Sequence, residues 1–246
     1  MEVTDRLIVA ADFSPRDYGG RVGVENEVIN LAKTLKGTGV YIKVNSILRS
    51  SGYDLILELR DLGVKIFADL KLIDIPATME IDGEMLAEVR PDIVTVMCCA
   101  GIDGMRAVQK VIGGNTEVLG VTVLTSLNEE ECQTIFTCST KAGVLKFARM
   151  AQLAGLGGLI LSPKEIEILI NRFEITLGLN TPGIRPNWTI VKGDDQSRIL
   201  TPYKAIFSGA KRLVIGRPIT QSDDPRSAVL KTLDEIERAI EDLREG

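Results

Sequence analysis

VKIFADLKLIDIPAT, residues 64–78, begins as an apolar strand and then places Asp69, Lys71 and Asp74 close together. Side chains two apart on a strand share a face. Val64, Ile66, Ala68 and Leu70 therefore make one apolar face, and Lys65, Phe67, Asp69 and Lys71 the other. Asp69 and Lys71 fall at the C-terminal tip, with Asp74 on the loop beyond. Charges at the end of a buried strand are costly unless something compensates them. Taken alone, D-x-K reads as a salt bridge closing a strand end, so the flanking segments decide between closure and chemistry.

Outward from this strand, strand-like and helix-like segments alternate along the chain. Residues 6–12 (RLIVAAD), 40–45 (VYIKVN), 92–98 (DIVTVMC), 118–125 (VLGVTVLT), 158–161, 175–179 and 212–216 (RLVIG) supply the other strands. Helical periodicity runs through Val24, Val28, Leu31, Ala32 and Leu35, and again over 53–62, where Gly63 stops it. Pro76 suits the first turn of a helix to about Val89. Further helices are expected over 104–112, around Asn128 as N-cap, over 141–154 and from Ser162-Pro163 to about Asn171. A polar segment, 180–197, and a short helix precede the last strand. Val229, Leu233, Ile236, Ile240 and Leu243 mark a closing amphipathic helix. Eight strand–helix alternations in 246 residues predict an α/β fold, a (β/α)8 TIM barrel, with residues 1–246 as one domain. A doubly wound open sheet is the rival, but DFSPRDYGG after the first strand lacks its G-x-G-x-x-G turn.

The net charge of −5 offers no general attraction to nucleic acid or to an anionic membrane. No apolar run approaches the roughly 18 residues of a spanning helix, and the acidic N-terminus runs straight into a strand pattern. A soluble, cytoplasmic protein is expected. Cys98, Cys99, Cys132 and Cys138 form no C-x-x-C pair and read as reduced, mostly buried small residues. The chain has no histidine, which removes Ser-His-Asp and Cys-His catalysis and most zinc sites. Any general acid or base must be Asp, Glu, Lys, Tyr or Cys.

Inward barrel faces are apolar except at the C-terminal mouth, where the active sites of this fold form. The two-residue count puts Ile8, Ala10 and Asp12 on one face of the first strand and Tyr41, Lys43 and Asn45 on one face of the second. Asp12, Lys43, Asp69 and Lys71 would then meet at the mouth with alternating sign. At the far end of the chain, TPGIRP (181–186) follows the seventh strand and Gly216-Arg217 the eighth. The loops after those strands are this fold's usual phosphate site. A guanidinium beside backbone N–H groups suits a phosphate dianion, and Gly183 and Gly216 would permit close approach.

DLKLIDIPAT (69–78), TPGIRP, Asp194-Asp195-Gln196 and IGRPIT (215–220), in that order, resemble the orotidine 5′-monophosphate decarboxylase family. D-x-K-x-x-D is shared with sugar-phosphate lyases of the same superfamily; D-I-P-x-T, T-P-G-I-R-P and D-D-Q single out the decarboxylases. The resemblance implies a metal- and cofactor-free conversion of orotidine 5′-monophosphate to UMP and CO₂ in pyrimidine biosynthesis. It makes Lys71 the proton donor to the carbon that loses CO₂, with Asp69 beside the departing carboxylate. Lys43 and Asp12 would complete the charge array and hold the ribose hydroxyls. It further implies a homodimer with shared active sites, Asp74 reaching into the partner's site and Thr78 on that edge. Thr125 and Ser126 would contact the pyrimidine. Pro182, Gly183, Arg185, Gln196, Gly216 and Arg217 would line the closing loop and the phosphate.

Two places depart from the family pattern. Leu72-Ile73 and Met97-Cys98-Cys99 stand where many members carry a histidine, the former resembling archaeal-type members. Asn45 stands where a glycine is frequent. The alternatives are a Mg²⁺-dependent sugar-phosphate lyase of the hexulose-6-phosphate synthase or 3-keto-L-gulonate-6-phosphate decarboxylase type, and an inactive barrel that only binds nucleotides.

Overall fold

The structure, a computed structural model, describes residues 1–172, 175–189 and 200–245, with the backbone alone at 171 and 172. Eight strands, β1 (Leu7–Ala10), β2 (Tyr41–Val44), β3 (Lys65–Leu72), β4 (Ile93–Met97), β5 (Glu117–Val121), β6 (Gly158–Ile160), β7 (Gly178–Pro182) and β8 (Arg212–Ile215), close in chain order into one parallel barrel. The helices between them are α1 (Arg21–Leu35), α2 (Ser46–Ser51), α3 (Asp54–Asp61), α4 (Pro76–Val89), α5 (Gly101–Val111), α6 (Glu129–Phe136), α7 (Thr140–Ala154), α8 (Ile166–Arg172), α9 (Pro202–Phe207), α10 (Arg217–Thr220) and α11 (Pro225–Glu245). The expected (β/α)8 class is the observed one. Among the described residues no helix is long and apolar enough to cross a membrane.

Most expected elements sit within a few residues of their place, and three differ in an informative way. β7 begins at Gly178 rather than Ile175, so Thr181 and Pro182 end the strand instead of following it. Its polar residues are accommodated because fully buried Asn180 donates from Nδ2 to the carbonyls of Leu159 and Gly178, each at 2.9 Å. β5 stops at Val121, which leaves Thr125 and Ser126 beyond the strand. They occupy an exposed turn closed by Leu127 N–H donating to the Leu124 carbonyl at 2.9 Å. Helix α2 has no counterpart in the sequence expectation. Asn45 caps it, its side chain accepting from Ser46 N–H and its carbonyl from Leu48 N–H, which gives this residue its account. Of the four cysteines, Cys98 and Cys132 are buried, Cys138 is half-buried and Cys99 is exposed, so burial holds for fewer of them than expected.

The chain divides into two compact units, Met1–Asp69 with Gly183–Gly246, and Leu70–Pro182. In the first, β1 pairs with β2 and β8, and β2 with β3, and Leu7, Ile8, Ile42, Ile66, Leu213 and Ile236 are fully buried. In the second, β4 to β7 pair in sequence. Helices α4 and α5 approach closely there because Gly83 and Gly104 face Val111 and Met79. Asn128 begins α6 with a reciprocal capping box: its side chain accepts from Glu131 N–H at 2.9 Å, and Glu131 accepts from Asn128 N–H at 2.8 Å.

Gly158 marks the tightest strand approach in the second unit. A Cβ there would lie 2.6 Å from the Gly178 carbonyl oxygen and 3.0 Å from Asn180 Nδ2. Gly158→Ala is expected to destabilise by about 1–3 kcal/mol through overpacking, although alanine restricts the unfolded chain more than glycine does. Thermal unfolding should register a drop of roughly 3–10 °C; an unchanged or raised midpoint would contradict this packing.

Candidate active site

Lys43 is the centre of the charged group in the first unit. Strand register sets Ala10, Lys43 and Phe67 side by side on β1, β2 and β3. Asp12, two residues beyond the end of β1, and Asp69, two residues further along β3, reach the same ammonium. Lys43 Nζ lies 2.7 Å from Asp12 Oδ1 and 3.4 Å from Asp69 Oδ2. The Lys43 and Asp69 side chains are 7% and 10% exposed, against 50% for Asp12. A buried ammonium needs such a partner, because without a carboxylate in reach its charge would be uncompensated. Of the four residues that the sequence count gathers, Asp12, Lys43 and Asp69 form one ion-paired cluster.

β3 carries the cluster onward to Lys71, and the regular alternation stops there. Lys71 has φ +52°, in the left-handed region. Among the described residues Arg90 and Thr137 also have positive φ without being glycine, but both are helix C-caps, where that conformation is ordinary. Lys71 has no such excuse and costs of order 1–3 kcal/mol, a level of strain that clusters at functional sites. Its backbone N–H donates to Thr95 Oγ1 at 2.9 Å. Thr95, fully buried on β4, thus holds the strained residue. Sequence reasoning passed over Thr95; the signal was one polar residue inside the apolar run IVTVM.

Beyond the strand, Asp74 is exposed and its Oδ1 accepts from Ile75 N–H at 2.7 Å. Pro76 opens α4 at its first turn, and Thr78 lies half-buried one residue before fully buried Met79. Asp74 also contributes to Asp82, whose carboxyl is pushed up first by burial and then by this neighbouring charge.

At the far end of the first unit, Ile184 and Pro186 are buried while Gly183 and Arg185 are exposed. Gly183 has φ +77°, a conformation that favours glycine. Arg185 N–H donates to the Leu200 carbonyl at 3.1 Å. Gly216 accepts from Ile219 and Thr220 N–H through its carbonyl, and Arg217 starts α10 with an exposed side chain. Pro182 ends β7 in the second unit. Gln196, with Asp194 and Asp195, lies outside the described residues. Among the described residues no group of three or more Cys, Asp or Glu is placed to hold a metal ion.

Each expected residue within the described chain lies in the C-terminal half of its strand or beyond it, toward the end at which this fold carries its chemistry. Residues 5–232 match the model of the orotidine 5′-phosphate decarboxylase / HUMPS family. The orotidine 5′-phosphate decarboxylase of Dictyoglomus thermophilum is 37% identical over 251 residues, covering 98% of this chain and 99% of that one. That of Staphylococcus haemolyticus is 40% identical over 193 residues, covering 76% and 83%. Among solved structures, the orotidine 5′-phosphate decarboxylase of Lactobacillus acidophilus superposes with a TM-score of 0.76 at 28% identity, covering 94% of this chain and 99% of that one. With a match spanning all eight strands, the chain belongs to the orotidine 5′-phosphate decarboxylase / HUMPS family.

Proposed function

We propose that this chain, acting in the cytoplasm as one barrel domain, decarboxylates orotidine 5′-monophosphate to UMP. The observation that carries this reading is the Asp12–Lys43–Asp69 cluster around the buried Lys43 ammonium, with Lys71 two residues beyond Asp69 on the same strand in a strained backbone. The relatives named above are orotidine 5′-phosphate decarboxylases, which favours this chemistry over the sugar-phosphate lyases that share the family.

In the proposed reaction the bond from C6 to the carboxylate breaks, CO₂ leaves, and the electron pair stays on C6. The Lys71 ammonium stabilises that carbanion and then gives it a proton, and solvent reprotonates the amine. One proton is consumed per turnover. Fixed charges in a water-poor site stabilise such a transition state without reorganising. Asp69 would lie beside the substrate carboxylate, while Lys43 and Asp12 hold the ribose hydroxyls. Thr125 and Ser126 are assigned to the pyrimidine. Pro182, Gly183, Arg185, Gln196, Gly216 and Arg217 are assigned to the phosphate and its loop. Remote phosphate binding can then be spent on orienting the reacting ring.

The same reading makes the enzyme a homodimer with shared sites. Ile73 and Ile75, which flank Asp74, and Ile81 and Met85, further along α4, are exposed apolar residues that suit coverage by a second copy.

Lys71→Ala should lower kcat/KM by at least about 10³-fold while a UMP analogue still binds. Wild-type turnover should survive EDTA; loss of activity on chelation would point to the Mg²⁺-dependent lyase instead. Arg217→Ala should raise KM by roughly tenfold to a hundredfold and change kcat less, as expected for a lost charged hydrogen bond to phosphate. An unaltered KM would remove Arg217 from the phosphate site. Mixing inactive Lys71→Ala with inactive Asp74→Ala protein should restore roughly a quarter of wild-type activity, because about half the dimers are mixed and each holds one intact site. No recovery after subunit exchange, verified by mass, would place Asp74 in its own chain's site.

A further inference from the structure

Helix α11 carries a buried acid that the proposed chemistry does not use. Its inward stripe includes Val229, Thr232, Leu233, Ile236 and Ala239, and Glu235 joins them at 3% exposure. An aliphatic side chain would pack there at no electrostatic cost, whereas a carboxyl must be satisfied. Glu235 Oε1 accepts from Asn187 N–H at 2.9 Å, while Oε2 is buried with no hydrogen-bond partner among the described residues. Burial accordingly pushes its carboxyl up. The bond it makes crosses to the segment after β7 instead of tying α11 to its own neighbours. Asn187 opens a turn, Asn187–Thr189, that Pro186 closes by accepting from Thr189 N–H at 2.9 Å and from Thr189 Oγ1 at 2.7 Å. Arg185 lies two residues before Asn187, between buried Ile184 and buried Pro186, with its backbone N–H tied to Leu200.

From this arrangement we infer that Glu235 is a positioning residue for phosphate binding: by holding Asn187 N–H, it fixes the segment from which Arg185 reaches the substrate's phosphate. This rests on the assignment of Arg185 to the phosphate made above. A guanidinium on a long side chain binds a dianion well only if its backbone anchor is held, since the ordering cost is then met before binding.

The test is a double-mutant cycle read in KM and kcat. Glu235→Ala should raise KM for orotidine 5′-monophosphate about tenfold with kcat within about twofold of wild type. Glu235→Gln keeps a carbonyl acceptor for Asn187 N–H and should return KM to near the wild-type value. Asn187→Pro removes the donor at the first position of its turn, where proline is tolerated, and should reproduce the raised KM even if Glu235→Ala does not fold. Glu235→Ala combined with Arg185→Ala should raise KM no further than Arg185→Ala alone. A Glu235→Ala protein that melts earlier but keeps its KM, or a double variant whose KM rises by the product of the two single effects, would overturn the positioning role. A wild-type KM in Arg185→Ala would instead fault the phosphate assignment of Arg185 itself.

Discussion

Burial of the Lys43 ammonium is the constraint on which the first half of the barrel depends. An ammonium 7% exposed among apolar strands is tolerable only because two carboxylates reach it. Asp69 comes from β3 and Asp12 from just beyond β1, so β1, β2 and β3 must lie in one register. A one-residue slip of β3 would turn Asp69 away from Lys43 and carry a residue of the opposite face, Ala68 or Leu70, into its place. The charge cluster therefore selects the same alignment that the apolar pattern selects. Asp12, half exposed, gives less through Coulomb attraction than buried Asp69 does per unit distance, because water screens it.

How much of this was legible follows from what each residue signals. Asp12, Lys43 and Asp69 could be gathered from the sequence because strand period and burial both act on side-chain type. α4 could be bounded from Pro76 to Val89 because proline fixes its first turn and the chain has to leave it before β4. β7 was displaced by three residues because Asn180, Thr181 and Pro182 read as a loop. Only the tertiary structure shows that Asn180 satisfies its amide by donating to two carbonyls. Thr125 and Ser126 were placed at a strand tip because the apolar run VLGVTVLT continues past the last paired residue, whereas pairing with β6 ends at Val121. Helix α2 is too short to show periodicity, and its cap, Asn45, carried a signal that could equally have marked a turn.

The backbone conformation of Lys71 is what the sequence could not reach. No propensity assigns a lysine to the left-handed region, and the two-residue count carries Lys71 onto Asp69's face as if the strand were regular. The conformation exists because the surroundings impose it, with Thr95 accepting the Lys71 N–H from inside β4. A lysine side chain has four rotatable bonds and, on a relaxed strand, would spend its entropy sampling positions. A strained but over-determined backbone removes one source of that freedom before substrate arrives.

The absence of histidine fits the same economy. Histidine is useful where a proton must be both taken and given near neutral pH. In the proposed decarboxylation the acceptor is a carbanion with no adjacent electron sink, so almost any ammonium is acidic enough to protonate it. What the reaction demands is a cation already in place while the charge develops, which is an electrostatic requirement ahead of an acid–base one. Lysine meets it as a compact point charge. Buried Lys43, held by two carboxylates, would serve a different end in the proposed reaction: it would fix the positions of those carboxylates, so that Asp69 keeps its place instead of relaxing toward solvent.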